Sequence, residues 1–84
     1  MDAAYGYSLD REAVAVLLLC SGRDRRLLVA AFEQVARYPL SVGDFHHAGP
    51  DGREYQVFDI GDFVVTCWPD HAVKMVRILL VERV

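Results

Sequence analysis

"GREYQVFDIGDFVVTCWPDHAVKMVRILLVERV", residues 52–84, decides the fold. Apolar and polar side chains alternate along it, and the alternation breaks where turn-forming residues gather. Gly61-Asp62 puts glycine first in a two-residue loop, which suits a type II′ hairpin. Pro69-Asp70-His71-Ala72 turns the chain again. Just upstream, in Gly49-Pro50-Asp51-Gly52, proline presets φ and the last glycine accepts a positive φ. Strands are therefore expected over residues 44–47, 53–60, 63–68 and 73–82, linked as an antiparallel meander. After Arg77 the last strand is apolar on both parities. It is expected to be central, with helices over one face and a partner over the other.

The other half of the chain reads as helical. Residues 5–7 make a short first strand, and the Ser8 hydroxyl is expected to cap a helix over residues 9–19. Asp10 and Glu12 fall in its first turn, where they complement the helix dipole. Gly22 fits a helix stop, while Ser21 and Asp24 resemble a capping box that starts a second helix. Leu27, Leu28, Ala31, Phe32 and Val35 recur at helical spacing, leaving Arg25, Arg26, Glu33 and Arg37 toward water. Pro39 ends the pattern. The reading is an α+β fold, a single domain over residues 1–84, in which an N-terminal antiparallel helix hairpin packs on a C-terminal antiparallel β-meander.

Composition narrows the function classes. At 84 residues, 54% hydrophobic and 25% charged, the chain is globular and long enough for one core. A domain this small is marginal alone, so a protein partner or a homodimer is expected. Net charge is −3, which opposes non-specific phosphate binding, although Arg23, Arg25 and Arg26 form a local cluster. No apolar run reaches membrane-spanning length, and the N-terminus lacks a basic region before an apolar one. No membrane association is expected, and a cytoplasmic setting is. Two cysteines, Cys20 and Cys67, fit buried thiols better than a disulfide framework.

Cys67, Asp70 and His71 lie close enough in sequence to suggest a nucleophile with its base. Cys67, however, shares strand parity with Phe63 and Val65, an apolar face where a thiol behaves as a small hydrophobe. Asp70 and His71 are expected in the turn, where aspartate bonds local backbone. His46 and His47, adjacent on a strand, point to opposite faces and cannot hold one ion together. No metal-ligand spacing and no phosphate loop is present, and no cofactor is expected. Arg53 and Arg77 are the stronger functional candidates, since an arginine within a strand needs a carboxylate, a phosphate or solvent for its fork. Glu54 and Glu82 are the expected ion-pair partners.

The whole pattern resembles the RelE/ParE superfamily of bacterial type II toxin-antitoxin toxins. Two helices are followed by Tyr55-Gln56-Val57, the Gly61 turn, Phe63-Val64-Val65, Asp70 and "VRILLVERV" in the family's order. The resemblance covers residues 8–84 and rests on alternation and turn positions. It implies helices on one face of a curved sheet and a cognate antitoxin wrapped around the toxin. It also implies one of two targets: mRNA cut at the ribosome, or gyrase poisoned without nuclease activity. The alternative within the same fold is a non-enzymatic module that only pairs with a partner or itself. Carried over by position, Arg83 best matches the family's arginine near the end of the last strand, with Arg77 second. His71 is the acid/base candidate. Val64 stands where many RelE-like chains place an arginine. A basic concave face holding Arg77, Arg83 and His71 would favour the nuclease; an apolar or acidic one would favour the binding module.

Overall fold

The computed structural model describes residues 4–49 and 51–84. Its elements are β1 (Gly6–Leu9), α1 (Arg11–Leu19), α2 (Gly22–Arg37), β2 (Phe45–Ala48), β3 (Glu54–Ile60), β4 (Phe63–Asp70) and β5 (Met75–Arg83). The sheet order is β1-β5-β4-β3-β2. The meander from β2 to β5 is antiparallel as expected, and β1 adds a parallel strand beside β5. That leaves β5 interior. Both helices pack on one face of the sheet, chiefly against β5 and β1.

Local chemistry explains most of these boundaries. Ser21 accepts a hydrogen bond from the Asp24 amide at 3.1 Å and caps α2. The Ile60↔Phe63 pair leaves Gly61 and Asp62 as the loop, with Gly61 at φ +58 and no positive φ at Asp62. This is the type II′ geometry. Pro50, in the expected Gly49–Gly52 turn, lies outside the described residues. The Gly52 amide donates to the Gly49 carbonyl at 3.0 Å, and Gly52 has φ +80.

Three local expectations are corrected. Ser8 does not cap α1. It lies in β1 opposite Arg77, and Asp10 takes the cap position, its amide bonded to the Ile78 carbonyl at 2.9 Å. Gly22 is the first residue of α2 rather than a stop, because α1 already ends at Leu19. Asp70 is the last residue of β4, paired with Met75, and only the residues after it turn.

The core lies between the helices and the sheet. Ala13 and Leu17 of α1 and Leu28, Phe32 and Ala36 of α2 meet Phe63, Val65 and Cys67 of β4 and Val76, Ile78 and Val81 of β5. The double parity of β5 has a specific cause. Thr66 pairs with Leu80 and Cys67 with Ile78, so Leu79 is an extra, unpaired residue. Such a β-bulge shifts the alternation by one, and Val76, Ile78 and Val81 then share the helix-facing side. Apolar residues on both parities therefore do not by themselves require a cover on the second face.

Candidate functional site

Strand parity sorts the candidate residues onto two faces. On the face away from the helices, Trp68 of β4 stands opposite Arg77 of β5. The Arg53 guanidinium carbon lies 4.3 Å from the Trp68 ring centroid, a cation–π contact on the same side. One indole thus has an arginine over its ring and another beside it across the strands. Each arginine is also matched by a carboxylate. Arg77 Nε donates to Asp70 Oδ2 at 3.3 Å and its Nη1 reaches Ser8 Oγ at 3.5 Å. Arg53 Nη1 lies 3.1 Å from Asp51 Oδ2. The partners expected from sequence, Glu54 and Glu82, are replaced by Asp51 and Asp70. Val64 pairs with Asp59 on one side and Glu82 on the other, so this end of the face carries carboxylates rather than the arginine of many RelE-like chains.

Arg83 is elsewhere. The bulge at Leu79 puts it on the helix side, where its Nη2 donates to Asp24 Oδ2 at 3.1 Å and its guanidinium lies 4.6 Å from the Phe63 ring centroid. Arg77, opposite Val76 and Ile78, projects from the other face. His71 follows β4 in the turn, hydrogen-bonded through Nδ1 to the Tyr5 hydroxyl at 2.8 Å with the rings edge to face. Arg83 lies at the far end of β5, about 27 Å from Met75 at the rise of an extended strand. Arg77, Arg83 and His71 are therefore not brought together.

Cys67 is buried, and burial pushes its thiol up to about 12 because the thiolate would lose its hydration. A thiol held there in its neutral form is a poor nucleophile at neutral pH. Among the described residues no cluster of His, Cys, Asp and Glu could hold a metal ion, and no helix is long and apolar enough to cross a membrane.

Three contacts differ from those expected from sequence: Asp70 as the partner of Arg77, Trp68 as the centre of the pair, and Asp24 as the anchor of Arg83. The first two carry a signal. Once residues 71–74 are taken as the turn, Asp70 faces Met75 and Trp68 faces Arg77 by counting outward. The third joins residues far apart in sequence and has no local signature. Two clefts open on the surface of the described residues. One of about 310 Å³ lies between β1 and α2, beside Tyr5, Tyr7, Glu33 and Arg37. The other, about 220 Å³, opens at the end of α1 and is lined by Val16, Leu19, Cys20, Phe63 and Arg83.

A helix pair on one face of a meander, with a parallel N-terminal strand beside the last strand, is a fold shared with solved structures. The chain superposes with a TM-score of 0.78 on a chain of the archaeal RelE-RelB complex from Pyrococcus horikoshii, at 14% identity over 96% of each chain. It superposes equally well, with a TM-score of 0.78, on a chain of the RelBE2 toxin-antitoxin complex from Mycobacterium tuberculosis, at 22% identity over 96% of this chain and 92% of that one. No family model and no curated protein matches the sequence.

Proposed function

We propose that this chain is the toxin-type member of a toxin–antitoxin pair and that it acts by binding proteins rather than by cutting RNA. The observation that carries the first half is the superposition over 96% of the chain on members of complexes that unite RelE with RelB or a toxin with its antitoxin. The second half rests on the dispersal of the candidate groups. Cleaving a phosphodiester needs a base, an acid and a charge-stabilising donor converging on one phosphate. Here His71 is bonded to Tyr5, Arg77 to Asp70 and Arg83 to Asp24. The target is then reached by surface complementarity, as in a gyrase-type poison or a relative that only pairs with its antitoxin.

A second reading, mRNA cleavage at the ribosome, draws on Trp68 between Arg53 and Arg77. An aromatic ring with one guanidinium over it and a second arginine paired with it across the strands suits a stacked base and its phosphate. On that reading Arg77, not Arg83, would face the RNA.

Co-expression with the product of the adjoining reading frame tests the main reading. A complex that survives gel filtration and melts higher than the free chain is expected, because a partner that binds only the folded state stabilises it. Two chains that elute and melt independently would overturn the reading.

A further inference from the structure

On the sheet face away from the helices, the chain's own side chains fill the positions that an anionic, stacking ligand would need. Trp68 is the single tryptophan of the sequence. The Arg53 guanidinium carbon lies 4.3 Å from its ring centroid, over a surface on which a base would stack. Arg53 is itself held down, with Nη1 3.1 Å from Asp51 Oδ2. Asp51 is fixed in turn by the Arg53 amide, which donates to Oδ1 at 3.0 Å, and by the Tyr55 hydroxyl, which donates to Oδ2 at 3.4 Å. Across the strands, Arg77 is held between Asp70 at 3.3 Å and Ser8 at 3.5 Å. Asp59 and Glu82 flank Val64 on the same face. Carboxylates therefore outnumber guanidinium groups around the indole, and each arginine already has one.

We infer that Asp51 and Asp70 are internal stand-ins for phosphate, and that their pairs with Arg53 and Arg77 close this face to single-stranded nucleic acid. A guanidinium fork that already meets a carboxylate has to give it up before it can meet a phosphate. The carboxylate left behind then repels the incoming phosphate, which adds to the cost of the exchange. Arg53 has a second effect, because it covers the indole where a base would lie and Asp51 sets its position. The Asp51–Arg53 pair does little for the fold: its side chains are 42% and 51% exposed, and an ion pair so open contributes little stability. Its effect on what the face accepts needs no burial. Asp51 and Asp70 are thus specificity-determining residues that act by exclusion. The inference goes beyond the protein-binding reading and does not depend on it.

The probe is a short oligouridylate titrated into the full chain, with Trp68 fluorescence as the readout. The wild-type chain should show little or no quenching. Asp51→Asn with Asp70→Asn should bind about tenfold more tightly or better. Its log K should also fall more steeply with log salt, by about 0.7 for each phosphate engaged. Asparagine keeps an oxygen for the Arg53 amide, and Asp51→Ser keeps one too if the first variant fails to fold by circular dichroism. Asp59→Asn with Glu82→Asn makes the same change in net charge on the same face but releases neither arginine, and should stay near wild type. Adding Arg77→Ala to the Asp51 and Asp70 substitutions should remove the gain. Wild-type binding as tight as the variant's, no binding by a folded variant, or an equal gain from the Asp59 and Glu82 substitutions would overturn the inference. None of these outcomes bears on whether the chain forms a complex with the adjoining frame's product, so the protein-binding reading stands or falls separately.

Discussion

Replacing Arg83 with alanine removes a strap between the end of β5 and the start of α2, and the structure sets its expected cost. The ion pair with Asp24 spans 3.1 Å, but the two side chains are 54% and 27% exposed. A pair so open to water contributes about 0.2–1 kcal/mol. The guanidinium over Phe63 adds about 0.5–1 kcal/mol. Together these come to about 1–2 kcal/mol, and for a domain of this size each kcal/mol lowers Tm by about 4–8 °C. Thermal unfolding followed by circular dichroism reads the effect directly. Asp24→Ala should recover only the ion-pair share, and that share should shrink in high salt while the stacking share persists. Arg83→Lys should behave nearer to alanine than to arginine, since lysine lacks the planar fork that stacks on Phe63. An Arg83→Ala protein with wild-type Tm that has lost growth inhibition would refute the reasoning, because Arg83 would then act on a target rather than on the fold.

Cys67 should resist thiol reagents in the native protein. Because its folded pKa is raised from 9.0 to about 12, its stability contribution is complete below pH 9 and lost as pH rises toward 12, which alkaline unfolding curves would show as a fall over that window. Ser21→Ala should cost about 1 kcal/mol through loss of the α2 cap, measured by urea titration; an unchanged midpoint would contradict the capping assignment. Gly61→Ala should destabilise by about 1–2 kcal/mol, because its φ of +58 is left-handed. The Leu27 tip, 2.9 Å from the added carbon, has room to shift, so a much larger loss of stability would mean the contact, not the backbone, controls the turn.

The meander was legible because its turns are written in glycine, proline and aspartate, and the strand ends fell close to them. α2 was legible from its cap and its apolar spacing. β1 extended further than its sequence suggested because its pairing with β5 is long-range, and that pairing drew Ser8 away from its expected capping role. The bulge at Leu79 was hidden for a similar reason. An extra residue in an apolar strand looks like a strand buried on both faces until its partner's register is known. That one residue decides the site as well, since it sends Arg83 to the helix side while Arg77 faces the open side. Cys67 was legible from parity alone.

Mapping mRNA ends in cells during induction, with and without the product of the adjoining reading frame, separates the proposed binding role from RNA cleavage. With the binding role, any growth arrest is relieved by the partner and transcripts carry no new position-specific ends. Strong arrest with cleavage at defined codon positions, abolished by Arg77→Ala or Arg83→Ala in a protein that still folds, would contradict it.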